Sequence, residues 1–378
     1  MTSEPVKGFR DFAGKEAKKL SEIQKILVTI FERYGFEPSE TPIIEYEDFV
    51  KGENKEDEAV SDIFKLKDKG KRNLALRYEF TFQLKRLMQN KKLPYKRFQI
   101  GPVFRDEPTK ENRLRQFTQA DVDVVNSSIK DEAEILSLSN DVLKNLGIEP
   151  IILFNNRKLL DEILDDLKIK EKYRNQVLRE IDKFGKIPES EIAENLKKFG
   201  AEKFFDSVKQ GEEYFNKFES YKEVIGLIEY CRAYGLKIFF SPTVIRGLSY
   251  YNGSVFEIKT KGIRETLVGG GSYKFNNVQC TGISFGLERI SAIAKLKKED
   301  EKFLVISLNQ DRKSIALAQQ LRRKGKVVSL FYGKPSKALE YANAYGFGKV
   351  IFVGGKEVKL RRFRVKIMKT GKEIVLKI

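Results

Sequence analysis

The 378-residue sequence predicts an α+β protein in two parts. Residues 1–300 would form an antiparallel sheet flanked by helices, with a helical insertion at about 160–235, and residues 301–378 a small α/β domain. Three observations carry this reading. Residues 95–126 show two alternating runs around a polar turn, the pattern of an antiparallel hairpin. Residues 160–235 are dense in Lys, Glu and Asp at helical spacing, and beyond residue 300 short apolar runs alternate with helical stretches. A hydrophobic content of 41% suffices for a sizeable core, and the length suits two or three domains.

Taken in order, Leu20, Ile23, Ile26, Leu27, Ile30 and Phe31 make one stripe over residues 14–34. The spacing predicts an amphipathic helix that ends at Gly35 and feeds a strand near residues 41–46. Lys96 to Ile100 and Val103 to Arg105 read as strand, Pro108 to Asn112 as a loop, and Gln116 to Val125 as the return strand. On that return strand Phe117, Gln119, Asp121 and Asp123 share one side, so the hairpin would place them with Arg105 on the floor of a cleft. Residues 131–146 predict a helix, with Ala133, Leu136, Val142 and Leu143 apolar and Gly147 at its end. In the last part, strands are expected at 303–307, 327–331, 350–353, 364–368 and 374–378, and helices at 312–323 and 336–345.

Composition excludes several classes of function. No apolar run can span a bilayer, and Met1-Thr2-Ser3-Glu4-Pro5 has no signal-peptide pattern, so a cytoplasmic protein without a membrane partner is expected. Cys231 and Cys280 have no neighbouring ligand set for a zinc site or a disulfide framework. The sequence contains no histidine, which removes imidazole bases, serine–histidine triads and the usual zinc hydrolase centres. Any chemistry must run on arginines, carboxylates, metal and the substrate itself.

Three arginine-bearing segments fit such chemistry. Phe104-Arg105-Asp106-Glu107 leads through Arg113 and Arg115 into Gln116-Phe117-Thr118-Gln119; Arg246-Gly247-Leu248-Ser249-Tyr250-Tyr251 follows, then Gly282 to Arg289. Guanidinium forks grip phosphate oxygens and stay charged at any relevant pH, so several aimed at one cleft suggest a nucleoside triphosphate being split. Formation of an aminoacyl adenylate is such a reaction: the attacking carboxylate is already ionised, and fixed cations with Mg²⁺ stabilise the charge that builds on the α-phosphate.

The order and spacing of these segments resemble the three motifs of class II aminoacyl-tRNA synthetases, and the Arg246 to Tyr251 element is similar to that of the histidyl-tRNA synthetase family. Lys7 to Phe12, Tyr34-Gly35-Phe36 leading to Pro42, Leu76 to Thr81, and Leu153 to Lys158 stand where that family carries supporting pieces. The resemblance spans nearly the whole chain. It implies an ATP-dependent, Mg²⁺-assisted histidine–tRNA ligase, with L-histidine and tRNA(His) as substrates, no DNA partner, and a homodimer whose interface includes Pro42.

By resemblance, Arg105 and Arg246 are the catalytic residues, both on the α-phosphate. Glu107, Arg113, Phe117, Gly286 and Arg289 are implied to bind ATP. Glu79, Thr81 and Gln119 would take the α-amino group of histidine, and Asp123 and Tyr251 its imidazole, with Tyr250 also in the histidine site. One donor and one acceptor on imidazole suit a carboxylate paired with a phenol. The resemblance names no metal ligands. The family often has glutamate at Asp123 and aspartate at Ser249, and Gly270-Gly271-Ser272-Tyr273-Lys274 departs from its usual glycine–glycine–arginine–tyrosine–aspartate.

Charge placement adds an RNA partner. Residues 301–378 hold 19 Lys and Arg against 5 Asp and Glu, which is +14 of the chain's +18. A basic domain with aromatic neighbours such as Phe363 attracts a phosphate backbone and stacks unpaired bases, and by resemblance this part is the anticodon-binding domain. The insertion at 160–235 would reach toward the tRNA acceptor arm. A non-catalytic alternative is a histidine-sensing regulatory paralogue of the ATP phosphoribosyltransferase complex. Two readings of the missing histidine stay open: biased coding, since tryptophan is absent too, or selection for synthesis during histidine shortage.

Overall fold

The computed structural model describes residues 3–52, 60, 62–108, 114–246, 251–296 and 301–377. The chain divides into two compact units at Lys295/Leu296. The first unit begins with α1 (Gly14–Arg33), β1 (Glu37–Pro38), β2 (Ile44–Tyr46), α2 (Glu47–Lys51), β3 (Lys65–Lys67), β4 (Asn73–Leu76), α3 (Thr81–Leu87), β5 (Tyr95–Phe104), β6 (Gln116–Val125), α4 (Ile129–Asn145) and β7 (Ile151–Asn156). A helical segment follows, from α5 (Arg157–Asp166) through α6 (Glu171–Ile181), α7 (Glu189–Lys197), α8 (Phe204–Val208) and α9 (Glu212–Phe215) to α10 (Tyr221–Ala233). The chain then returns as β8 (Ile238–Phe240), β9 (Tyr251–Thr260), β10 (Ile263–Phe275), β11 (Val278–Gly286) and α11 (Leu287–Ile293).

Eight strands form one mixed sheet in the order β1-β5-β6-β11-β10-β9-β7-β8, and β2-β4-β3 form a small second sheet. Long antiparallel strands fill the centre of the large sheet; only the two edge pairs, β1 with β5 and β7 with β8, run parallel. The two-residue period of a strand gives β6 opposite faces. Ala120, Val122 and Val124 point back and are wholly buried. That back face is where the helices lie: Phe31 of α1 meets Phe98 of β5 at 5.3 Å and Phe285 of β11 at 5.7 Å. Helix α4 starts at a capping box, Ser128 accepting from Lys130 N while the Asp131 carboxylate accepts from Ser128 N.

Two expected boundaries shift for physical reasons. The carbonyls of Thr41 and Pro42 are held by side chains rather than strand partners: Arg77 Nη1 donates to Thr41 O at 2.7 Å and Gln83 Nε2 to Pro42 O at 2.8 Å, and backbone pairing starts where Ile43 O accepts from Arg77 N at 2.9 Å. The strand therefore begins only at Ile44. Conversely, β5 runs unbroken through Gly101 and Pro102, where the Pro102 carbonyl accepts from Arg77 Nε at 2.8 Å.

The second unit is a five-stranded sheet, β13-β12-β14-β15-β16, made of β12 (Lys302–Ser307), β13 (Val327–Tyr332), β14 (Lys349–Val353), β15 (Arg362–Ile367) and β16 (Glu373–Lys377). Its first three strands are parallel and the last two join antiparallel. Leu317, Ala318 and Leu321 of α12 (Asp311–Arg323) pack on one face. Ala338 and Ala342 of α13 (Pro335–Ala344) pack on the other, and α14 (Gly355–Leu360) precedes β15.

Close approach of β10 to β11 is strict. A Cβ on Gly270 would lie 2.0 Å from the Gly282 carbonyl oxygen and 2.7 Å from Ile283 Cα, both backbone atoms that cannot swing aside. Gly270→Ala is expected to cost at least about 3 kcal/mol of unfolding free energy, read from urea denaturation.

Candidate active site

The front face of the large sheet carries the cleft. Pairing of β6 with β5 and β11 sets Gln119 beside Gly101 and Gly286, Asp121 beside Gln99 and Ser284, and Asp123 beside Arg97 and Gly282. Cross-strand partners share a face, so the floor is a grid of polar side chains between glycines. The glycines make room for those side chains. A Cβ on Gly282 would fall 2.1 Å from Asp123 Oδ1, one on Gly269 2.5 Å from Arg246 Nη1, and one on Gly271 2.8 Å from the Tyr251 ring.

Eleven of the residues expected from sequence line this one cleft: Glu79, Thr81, Arg105, Glu107, Phe117, Gln119, Asp123, Arg246, Tyr251, Gly286 and Arg289. Arg113 and Tyr250 lie outside the described residues. Arg105 sits just past the end of β5; its Nε donates to Tyr78 O and its Nη2 to Gln119 Oε1, both at 3.2 Å. Its guanidinium carbon lies 5.2 Å from the centre of the Phe117 ring, which fixes the plane of the fork. Arg246 faces Glu257 of β9, with Nη1 3.6 Å from Oε1. Along β10, the strand of Gly269, Arg289 Nη1 donates to Thr266 O at 3.1 Å. Three guanidinium groups from separate segments thus border one space.

Further groups on and beneath the cleft floor had no role assigned from sequence. Glu288 of α11 accepts the Thr118 N–H at 2.8 and 3.0 Å, tying α11 to β6. Tyr273 of β10 donates its hydroxyl to Asp123 Oδ1 at 2.5 Å. Arg97 of β5, without solvent exposure, brings Nη2 to 2.8 Å from Asp123 Oδ2 and donates to Phe80 O at 3.1 Å. Asp121, 4% exposed, accepts from Gln119 Nε2 at 3.0 and 3.2 Å and from the Ser284 hydroxyl. Alternation had placed Asp121 on the same side as Asp123, but its role had no signal. On the back of the sheet, Glu132 of α4 accepts from Ser272, and burial raises its pKa above the usual carboxylate range.

Burial first, and the neighbouring Asp123 second, push the Asp121 carboxyl up to about 6. Its folded pKa exceeds its unfolded value, so the folded state binds the proton more tightly, and this group costs stability as pH rises from about 4 to about 6. Asp121→Asn removes that cost. The variant is expected to be more stable than the parent at pH 7.5 by on the order of 1–3 kcal/mol, with the gain largely gone at pH 4.5; thermal melts at the two pH values check this.

Comparison with known proteins gives consistent matches. Residues 8–290 match the family model described as histidyl-tRNA synthetase. The chain is 32% identical over 414 residues to histidine–tRNA ligase 1 of Bacillus cereus, covering 99% of this chain and 95% of the relative. A solved histidyl-tRNA synthetase from Nostoc superposes with a TM-score of 0.86 at 23% identity, covering 100% of this chain and 97% of that one. A Bacillus halodurans structure titled as an ATP phosphoribosyltransferase regulatory subunit/histidyl-tRNA synthetase reaches 0.77 at 20% identity, over 93% and 98% of the two chains.

Proposed function

This chain belongs to the histidyl-tRNA synthetase family, and from that premise we propose that it is a histidine–tRNA ligase. It activates L-histidine with ATP and transfers the product to the 3′ end of tRNA(His). The observation that carries this reading is the convergence of Arg105, Arg246 and Arg289 on one cleft whose floor bears the buried carboxylates of Asp121 and Asp123.

In the first step a carboxylate oxygen of histidine attacks the α-phosphorus, the bridging P–O bond to the β-phosphate breaks, and pyrophosphate leaves. No protein base is needed. Arg105 and Arg246 hold the α-phosphate and stabilise its developing charge, while Arg289 and Arg113 take outer phosphate oxygens. Phe117 and Glu107 hold the adenine, and Gly286 lets the backbone approach it. Glu79, Thr81 and Gln119 receive the α-amino group, leaving Asp123, Tyr250 and Tyr251 for the side chain. Among the described residues no three acidic or thiol groups converge to hold a resident metal, so Mg²⁺ is written as part of the Mg·ATP substrate, carried chiefly on phosphate oxygens. In the second step a ribose hydroxyl of the tRNA attacks the adenylate carbonyl, AMP leaves, and a phosphate oxygen takes the proton.

The second unit, with most of the chain's positive charge, is read as the anticodon-binding part, and the helical segment between β7 and β8 as the part facing the acceptor arm. The catalytic part is assigned to residues 1–300. A homodimer is supported by Ile43, Ile44 and Tyr46, which are 40%, 49% and 58% exposed in and beside β2, more than isolated apolar residues would be. Among the described residues no helix is long and apolar enough to cross a membrane, and we place the protein in the cytoplasm.

Pyrophosphate exchange into ATP, assayed with each of the twenty amino acids, is expected to proceed with histidine alone. Histidine binding without exchange would instead identify the non-catalytic regulatory relative. Arg246→Ala is expected to lower the exchange rate by roughly 10²–10³-fold; a loss of only a few-fold would remove Arg246 from the catalytic step.

A further inference from the structure

Under the side-chain end of the cleft lie three charges that neither motif nor family assigns together. Arg97 is wholly buried, and besides its contacts to Asp123 and the Phe80 carbonyl, its Nε and Nη1 have no hydrogen-bond partner among the described residues. Asp123, 3% exposed, has one oxygen on the Tyr273 hydroxyl and the other on Arg97. Asp121 is the next residue on that face; it lines the cleft, its hydrogen-bond donors Gln119 and Ser284 are neutral, and the Arg97 that pairs with Asp123 acts on it only through space. Two carboxylates and one guanidinium leave one negative charge uncompensated where water is largely excluded. A buried charge of that kind is stabilised chiefly by a counter-ion. The other cations nearby are otherwise engaged: Arg105 lies against Phe117 and Gln119, Arg246 faces Glu257, and the buried Arg77, which also acts on Asp121, answers first to Glu40 and Glu45. Glu79, an acid that also lines the cleft, carries a further negative charge, which the α-amino group of the bound histidine takes up.

We propose that Asp121 is a specificity-determining residue: with Asp123 and the buried counter-ion Arg97 it makes the side-chain pocket a net monoanion, and substrate histidine is held there as imidazolium, one ring N–H directed to Asp121. The inference rests on the ligase reading and deepens it. Imidazole is the one amino-acid side chain that protonates near neutrality at its ordinary pKa. A monoanionic pocket therefore selects it by charge as well as shape, against rings of similar size that stay neutral. Arg97 neutralises Asp123 without filling the cleft, because it enters from the neighbouring strand through the register that pairs the two residues.

The test compares kcat/KM in pyrophosphate exchange for histidine and for triazolylalanine, a ring of the same shape that is far less basic, in the parent protein and in Asp121→Asn. Loss of one charge-assisted hydrogen bond should shrink the parent's preference for histidine by roughly ten- to a hundredfold, with the KM for ATP unchanged. A purely structural role would depress both substrates equally and leave the ratio intact, which overturns the inference. A second measurement needs no variant: calorimetric titration of the parent with histidine at pH 8, in two buffers of different ionisation heat. Close to one proton taken up per histidine bound is expected; no uptake means that the neutral ring binds, and the inference fails. A parent protein that exchanges with another amino acid, or neither binds histidine nor exchanges, overturns the ligase reading as well. Exchange with histidine and an unaltered ratio overturns this inference alone.

Discussion

Everything in the cleft depends on the backbone-to-backbone approach of β10 and β11 along Gly269, Gly270 and Gly271. At Gly270 the constraint is the sheet itself, since a methyl group there would enter the neighbouring strand. At Gly269 it is the cleft, since a methyl group would displace Arg246; at Gly271 it is both, since a methyl group would meet the Ser254 carbonyl oxygen of β9 at 2.5 Å as well as the Tyr251 ring. One run of three residues therefore meets two demands, closing the sheet and seating a guanidinium and a phenol against its surface. Glycine weakens a strand by its entropy and lack of packing, and here the long antiparallel neighbours on both sides offset that loss.

The arginines of the cleft and its two buried aspartates come from different elements. Guanidinium groups enter from the rim, on the segments after β5, before β9 and in α11, where they can meet a ligand that arrives with negative charge. Carboxylates lie in the floor on β6, where burial raises the cost of their ionisation. A ligand that carries both an anion and a cation finds opposite partners in the same depression, with Gln119 joining Arg105 to Asp121 between them. Glu288 and Glu257 act at the border between these zones: one ties α11 to the β6 backbone, the other faces Arg246.

Much of this was legible in the residue pattern, and the remainder has identifiable causes. Helix α1, helix α4 and strand β6 follow strong periodicities, and their buried residues, among them Ile23, Leu27, Leu136 and Val122, are those the spacing selects. The segment at 41–43 was misread as strand because its carbonyls are satisfied by Arg77 and Gln83, long-range partners that no local pattern reveals. Arg97 was missed for another reason. Lys96 and Arg97 look alike in sequence, yet Lys96 turns back to Glu134 of α4 while Arg97 turns forward to Asp123. Only the register between β5 and β6 tells them apart. The cleft residues came from motif order, whereas the second carboxylate and its counter-ion needed the sheet.

The two faces of β6 differ in the kind of substitution they tolerate. Ala120, Val122 and Val124 answer to helix packing, where one apolar side chain can be exchanged for another if a neighbour on α1 or α4 adjusts. Gln119, Asp121 and Asp123 answer to one another and to Arg97, Ser284 and Tyr273, on three further strands, so a change at one alters the hydrogen bonds or charge balance of the others. Ten consecutive residues thus carry two interleaved sets of constraints, one of shape set by the helices behind the sheet and the other of charge and hydrogen bonding set by the strands beside it.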